Sequence, residues 1–178
     1  MKTRTRRPKP LRPGMPESRV MMGVVQAARF FDVELDRQNT GAMKNESGRL
    51  VRFGVKGNSD LTGMTGPTWG RLAGLKVDVE CKKEHWKPPR PPKPGRLPGK
   101  LRLRWEAQLD RLRRTNANGG FGFWTDDPEH AFEVFRLLKE GGHRIEIGED
   151  EEVWLVPISR APKGAPGRTE ITLDEVEG

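Results

Sequence analysis

One stretch of the sequence constrains the fold more than any other, because apolar and charged residues alternate along it without interruption. Its eight residues are, in order, Leu75, Lys76, Val77, Asp78, Val79, Glu80, Cys81 and Lys82. Successive side chains of a β-strand point to opposite faces of a sheet. Alternation of this length therefore predicts a strand with one apolar face, directed toward a core, and one charged face.

Weaker patterns before and after this strand predict the other elements. A helix is expected to begin at Glu17, because Pro16 suits a helix start and an acidic side chain suits the positive end of the helix dipole. Its apolar residues at helical spacing form one inward-facing stripe, and Glu17, three residues before Val20, is expected to point along that stripe. We further expect strands over residues 33–38, 51–60 and 121–125, a turn over 63–70, helices over 103–115 and from Pro128, and a terminal hairpin of 144–147 with 152–157. This order predicts an α/β domain with a mixed central sheet flanked by helices.

Charge is distributed unevenly along the chain. The 178 residues carry a net charge of +8, yet residues 143–178 hold nine acidic and four basic residues, a net of −5, so the preceding 142 residues carry +13. Concentrated positive charge is typical of proteins that bind polyanions, and nucleic acid is the leading candidate. The alternative is a solvated surface that serves only solubility.

The composition also predicts how the chain is divided. Residues 1–16 hold six basic residues, four prolines and no acid, which favours a disordered basic arm. Residues 17–158 are expected to form the domain, interrupted by a basic insert at 86–100 with six prolines and five basic residues. Residues 159–178 are expected to be a flexible acidic tail.

Several classes of protein are disfavoured. No run of 18 apolar residues is present to cross a membrane, and the basic start lacks the apolar segment of a secretory signal. One cysteine and three scattered histidines argue against an internal disulfide and against a zinc site. The sequence therefore predicts a soluble, cytoplasmic protein.

Three charged residues on two of the predicted strands form the candidate site. Asp60 is expected to end one strand, and Glu80 and Lys82 share a face of the next. A hairpin through residues 62–74 would bring Asp60 beside Glu80, and paired carboxylates suit a hard cation such as Mg²⁺ or Mn²⁺. Lys82 beside them can orient a water or stabilise charge that develops on a phosphate. The alternative is a solvated strand face on which Asp78, Glu80 and Lys82 form cross-strand ion pairs.

This arrangement resembles the active site of the PD-(D/E)XK nuclease superfamily, with Asp60 as its aspartate and Glu80-Cys81-Lys82 as its (D/E)XK triplet. Ser59 stands where the superfamily usually has proline. Residues 54–61 are similar to the G-x-x-G-x-[SA]-D-[IL] motif of the VRR-NUC and archaeal Holliday junction resolvase branches. The resemblance covers about residues 17–140 and leaves out both tails and the proline-rich insert. It implies a restriction-endonuclease-like core that hydrolyses phosphodiesters with a divalent metal.

The resemblance also implies roles for residues outside the triplet. Glu17 is similar to the helical acid of the superfamily, a catalytic residue and further metal ligand, although a glutamate there also suits the helix dipole alone. Gln108 is similar to the glutamine that follows the catalytic lysine in those two branches. Cys81 is expected to fill the core, with its backbone carbonyl within reach of the metal.

A further set of residues is expected to contact DNA. Its members are Arg19, Arg37, Lys56, Ser59, Lys83, Arg104 and Gln108. Taken singly, each cation also fits an ordinary surface residue. The basic arm and the insert are expected to bind phosphates without reading sequence. Trp86 and Trp105 fit base stacking, dimer packing or core packing.

The resemblance implies a nuclease but does not fix the substrate. Compact size, broad positive charge and the lack of a separate sequence-reading domain favour recognition of DNA shape. We therefore expect an archaeal-type Holliday junction resolvase, carried by a bacteriophage, whose homodimer nicks opposing strands of a four-way junction. The alternatives are a VRR-NUC-type flap or repair nuclease, a restriction-like endonuclease, and a non-catalytic DNA-binding protein on the same fold.

Overall fold

The structure is a computed structural model that describes residues 14–38, 41–44, 46–53 and 59–158. Its helices are α1 (Glu17–Phe30), α2 (Lys100–Ala117) and α3 (Pro128–Glu140), and a 3₁₀ segment spans Pro67–Leu72. Its strands are β1 (Val33–Arg37), β2 (Gly41–Lys44), β3 (Leu50–Phe53), β4 (Leu61–Thr65), β5 (Lys76–Cys81), β6 (Phe121–Thr125), β7 (His143–Ile147) and β8 (Val153–Pro157). The basic arm up to residue 13 and the acidic tail lie outside the described residues and stay predictions.

Four strands form the central sheet, in the order β1-β4-β5-β6. The pairs β1–β4 and β4–β5 are antiparallel, whereas β5–β6 is parallel, so the sheet is mixed. β2–β3 and β7–β8 form two separate two-stranded sheets. The predicted α/β class with a mixed central sheet flanked by helices is confirmed.

The two faces of the central sheet are covered by different helices. On one face, Val77, Val79 and Cys81 of β5 join a core with buried residues of α1 and α3, such as Val24 and Phe135. On the other face, α2 packs against β5 and β6 through a second apolar cluster. The members of this second cluster are Trp105, Leu109, Leu112 and Trp124.

The charged face of β5 is not the solvated face that the alternative interpretation required. Asp78 and Glu80 are both 0% exposed, and Lys82, immediately after the strand, is 9% exposed. Helix α2 lies over this face, since Thr115 bonds to Asp78 and Gln108 bonds to Glu80. Burying a carboxylate costs free energy unless it is paired, so the burial of Asp78 and Glu80 must be offset by partners or serve a chemical role.

One strand prediction is wrong in its placement. We expected Asp60 to end a strand that begins near residue 51, but β3 ends at Phe53 and Asp60 immediately precedes β4. Part of the segment expected to form a turn belongs to β4, and the turn was expected because Gly63 resembles a turn residue. In the structure Gly63 is required for a different reason, since a Cβ there would lie 1.7 Å from the carbonyl oxygen of Glu34 on β1.

The elements after β5 agree more closely with the sequence. The insert has no helix or strand before Lys100, where α2 begins three residues earlier than expected. β6, α3 and the terminal hairpin β7–β8 are confirmed. No helix in the described part of the chain is both long and apolar enough to cross a membrane.

Candidate active site

Strand register brings the two predicted carboxylates together. Leu61 of β4 lies opposite Val79 of β5, so the next row of this antiparallel pair sets Asp60 opposite Glu80. Residues opposite each other in a sheet point to the same face. The backbone N–H of Cys81 donates to Asp60 Oδ2 at 2.9 Å and orients that carboxylate. On its other side, the N–H of Gln38 donates to the carbonyl oxygen of Asp60 at 2.8 Å.

The carboxylate of Glu80 is held by one oxygen and left open at the other. Its Oε1 accepts hydrogen bonds from Lys82 Nζ and from Gln108 Nε2. Lys82 Nζ also donates to Gln108 Oε1 at 3.3 Å, which closes a triangle of three side chains. Glu80 Oε2 is buried and has no hydrogen-bond partner within the described residues. A buried acceptor without a partner is rare in proteins and indicates a missing ligand or a functional role.

The electrostatics of Glu80 follow from this geometry. Burial and, to a smaller extent, the charge and hydrogen bond of the neighbouring Asp60 carboxyl raise the pKa of Glu80 to about 8, against the lowering effect of Lys82. Two carboxylates that share one site disfavour each other's ionisation. A cation between them would reverse both effects, so the pair is suited to bind one.

Lys82 is confined by aromatic rings as well as by hydrogen bonds. Its Nζ lies 5.5 Å from the ring centroid of Trp86 and 5.6 Å from that of Trp105, distances typical of cation–π contacts. Trp86, Trp105 and Trp124 pack edge to face, with centroids 4.6–5.7 Å apart. The tryptophan trio, defined by these three residues, therefore closes the side of the site away from Asp60's strand.

The terminal hairpin supports this trio from behind. Trp105 Nε1 donates to Glu151 Oε2 at 2.8 Å, and Trp124 Nε1 donates to the carbonyl oxygen of Glu151 at 2.7 Å. The same glutamate pairs with Arg102 of α2, whose Nη1 donates to the carbonyl oxygen of Pro89 at 2.9 Å. The hairpin and the insert are thus joined to the site, although the resemblance covers neither.

Asp78, two residues before Glu80 on the same face of β5, has a hydrogen-bond donor on each of its carboxylate oxygens. It accepts from Thr62 Oγ1 and Thr115 Oγ1, both at 2.6 Å, and from Lys76 Nζ at 3.0 Å and Arg111 Nε at 3.2 Å. Burial alone would raise its pKa, but hydrogen bonds from both threonines and Lys76 outweigh burial and hold the pKa below its ordinary value. Asp78 is therefore a structural acid, in contrast to Glu80.

Three other predicted site residues have distinct positions. Glu17 was expected on the inward stripe of α1 but is exposed; its charge still contributes to the raised pKa of the Cys81 thiol, after burial, Asp60 and Glu80. Cys81 is fully buried in the core, as expected, so its thiol does not face the carboxylates' open side. Ser59 is 2% exposed, and its buried Oγ has no partner within the described residues.

The donor set fits a hard divalent cation held by few protein ligands. Asp60 and Glu80 offer oxygen atoms only, and the open Oε2 of Glu80 has the character of a vacant ligand atom. Within the described residues, no three side chains of His, Cys, Asp or Glu are grouped closely enough to form a larger ligand set, so Glu17 does not join the pair. Mg²⁺ commonly binds proteins through one or two carboxylates and keeps several waters.

The predicted DNA contacts divide into surface and interior residues. Arg19, Arg37, Lys83 and Arg104 are exposed, and none of these four forms an ion pair among the described residues. Gln108 is only 4% exposed and contacts Glu80 and Lys82 in the interior, not the surface. Lys56 lies outside the described residues.

Sequence reasoning named Trp86 and Trp105, with core packing as one alternative, but it missed Trp124 and Glu151 and related none of the four to Lys82. Trp86 follows Lys82 by four residues, whereas Trp105, Trp124 and Glu151 are far from it in the chain. A signal was present only in part: Trp105 precedes Gln108 by three residues on one helix, which places both on one face of α2.

Comparison of the chain with models of protein families, with curated proteins and with solved structures finds no match in any of the three. The site therefore has to be interpreted from its own geometry.

Proposed function

We propose that this protein is a divalent-metal-dependent endonuclease with a restriction-endonuclease-like core, and that it resolves four-way DNA junctions as a homodimer. The observation that carries the proposal is the convergence of Asp60 and Glu80 on one face, with Glu80 Oε2 open and Lys82 fixed beside them. The resemblance to the PD-(D/E)XK superfamily supports the same assignment.

The side chains divide the chemistry between them. Asp60 and Glu80 would hold Mg²⁺ or Mn²⁺, which would supply Lewis-acid polarisation of the phosphate and a more acidic water. Lys82 directs its ammonium group toward the scissile phosphate, where it stabilises the negative charge that grows on the phosphate oxygens. Gln108 bonds both Glu80 and Lys82, so it fixes the distance between the acid and the ammonium group.

The surface supports DNA as the substrate. Arg19, Arg37, Lys83 and Arg104 are exposed cations on the elements that carry the site or adjoin it. Phosphate contacts of this kind supply affinity without sequence preference, which suits a protein that recognises the shape of a junction. A homodimer supplies two such sites, one for each nicked strand.

A comparison of three labelled substrates tests the proposal. The protein is incubated with Mg²⁺ and a four-way junction, a flap or a linear duplex of matched sequence. Paired, symmetric nicks on the junction support a resolvase. Preferential cutting of the flap would assign the protein to the flap and repair nucleases, and binding without cutting of any substrate would show a non-catalytic DNA-binding protein.

A further inference from the structure

The first turn of α2 carries an apolar side chain, Leu101, that the rest of the fold does not cover. Leu101 precedes Gln108 by seven residues, almost two helical turns, and therefore lies on the same stripe. That stripe is buried further along the helix, at Trp105, Gln108 and Leu112. Leu101 is nevertheless 75% exposed. The amino-terminal turn of α2 thus extends beyond the sheet, with its inward stripe uncovered.

A second exposed leucine stands beside it in the chain. Leu97, three residues before α2, is 94% exposed. Leu97 and Leu101 have the two largest exposed fractions among the large apolar residues of the described chain. Two such residues within five positions mark a candidate interaction site. Leu97 and Leu101 are called the leucine wedge below.

The surroundings of the leucine wedge are strongly cationic. Residues 85–105 contain seven Lys and Arg residues and no acidic residue. Six of the seven are exposed and form no ion pair in the part of the chain that the structure describes. These six are Lys87, Arg90, Lys93, Arg96, Lys100 and Arg104. Charge complementarity therefore favours a polyanion as the partner of this surface.

The position of Leu101 relative to Gln108, which bonds to Glu80, indicates which part of a DNA substrate would meet the leucine wedge. At a rise of 1.5 Å per residue, Leu101 lies about 10 Å along the helix axis from Gln108, or about three base-pair steps. Bases in a continuous duplex are stacked, whereas bases at a branch point are readily unstacked. Apolar side chains of DNA-binding proteins insert at such steps and part them.

We propose that Leu101, together with Leu97, inserts between bases at a DNA branch point, while the surrounding cations hold the flanking phosphates. The proposal rests on the proposed function, because it takes branched DNA as the partner. It adds a device for recognising the branch, which the catalytic carboxylates cannot supply. The leucine wedge would place the branch a few nucleotides from the phosphate that is cut.

Fluorescence of 2-aminopurine at the branch tests this directly, since its emission rises when the base loses its stacking. The full-length protein is added in EDTA, which allows binding without cutting, at concentrations that saturate the junction by anisotropy. Wild-type protein is expected to raise the emission several-fold. Leu101→Ala should lose most of that rise, Leu97→Ala should lose part of it, and Leu101→Met should retain it.

Leu103 provides a matched control on the same helix. It is also exposed, at 51%, but lies about 200° around the helix from Leu101. Leu103→Ala should therefore raise the emission as wild-type protein does. The proposal would be overturned if Leu101→Ala raised the emission as much as wild-type protein does. It would also be overturned if Leu103→Ala lost as much of the rise as Leu101→Ala.

Two other partners of the leucine wedge have their own outcomes. If Leu101→Ala shifts the sedimentation of the DNA-free protein from dimer to monomer, the leucine wedge belongs to a dimer interface with a second copy of the chain. If it abolishes binding to anionic phospholipid vesicles and leaves the fluorescence unchanged, the partner is a lipid surface. Either result contradicts the proposal. A failure of the proposed function is separate, because wild-type protein would then never cut with Mg²⁺, whatever the EDTA experiment shows.

Discussion

Among single residues, Glu80 is the side chain whose burial is least easily explained by stability alone. Asp78, two residues before it, is equally buried but has four donors around its carboxylate. Glu80 has donors on Oε1 only and faces a second carboxylate, Asp60. An amide would serve a fold that needed only a polar residue here, so the buried, unpartnered Oε2 of Glu80 indicates a ligand-binding role.

The raised pKa of Glu80 predicts an unusual pH dependence of stability in the metal-free protein. Its pKa rises from 4.5 to about 8 on folding, so folding favours the protonated form. The contribution of Glu80 is complete below pH 4.5 and is lost as the pH rises toward 8. Melting temperatures in EDTA from pH 4.5 to 9 should therefore fall for wild-type protein relative to Glu80→Gln. Parallel curves for the two proteins would contradict this assignment.

The contact between Lys82 and Trp86 predicts a loss of rate without a loss of fold. Trp86→Leu removes one ring face from the ammonium group and leaves its bonds to Glu80 and Gln108. Because a desolvated cation–π contact contributes about 2 kcal/mol, single-turnover cutting should slow by up to about thirtyfold. Trp154→Leu, a surface tryptophan of β8, is the control and should cut at the wild-type rate. Equal rates for the two variants would remove Trp86 from the site.

At the scale of elements, the site depends on close approach between strands. Gly63 of β4 faces the backbone of β1 so closely that any side chain would collide with Glu34. Gly63→Ala should therefore force the two strands apart and lower the free energy of unfolding by about 2 kcal/mol or more. Chemical denaturation measures this.

Gly99 offers the comparison for that experiment. It precedes α2, and a Cβ there would meet no atom within 4 Å. Gly99→Ala should change stability by less than about 1 kcal/mol. If Gly63→Ala is as mild as Gly99→Ala, the tight β1–β4 contact is not what positions Asp60.

The predictability of each element follows from how local its signal is. β5 could be predicted because its alternation is complete within eight residues, and α1 because its cap and stripe lie together. β4 could not be predicted, because Gly63 in its sequence Leu-Thr-Gly-Met-Thr resembles a turn residue. The glycine is needed because the backbone of β1 lies too close for a side chain, which the local sequence does not reveal. The same holds at the site. Glu80 and Lys82 are two residues apart, but the partners of Lys82 on α2 and the insert are brought to it by tertiary packing.

At the scale of the whole molecule, the distribution of charge matches the position of the site. The insert and the start of α2 are cationic and lie next to Lys82 and the tryptophan trio, whereas negative charge is concentrated after residue 142. A polyanion approaching the protein is therefore attracted to the surface formed by the insert and the start of α2.

The basic arm predicts a measurable share of that attraction. Deleting residues 2–12 removes six cations and none of the residues of the site. Each phosphate contact that is lost should lower the slope of log affinity against log salt by about 0.9 in magnitude. Binding of a four-way junction, titrated from low to moderate salt, should become weaker and less salt-dependent, while cutting at saturating protein persists. An unchanged slope would mean that the arm contributes nothing to binding.

The central claim is that Asp60 and Glu80 together bind the cation that enables hydrolysis, and one comparison of variants tests it most directly. Junction cutting in Mg²⁺ is measured for Asp60→Asn, Glu80→Gln and, as a buried acid on the same strand face, Asp78→Asn. The first two should lose at least about a hundredfold in rate, the scale of lost transition-state electrostatics, and still bind the junction. Asp78→Asn should lower stability but continue to cut below its melting temperature. Cutting at the wild-type rate by Asp60→Asn or Glu80→Gln would contradict the account.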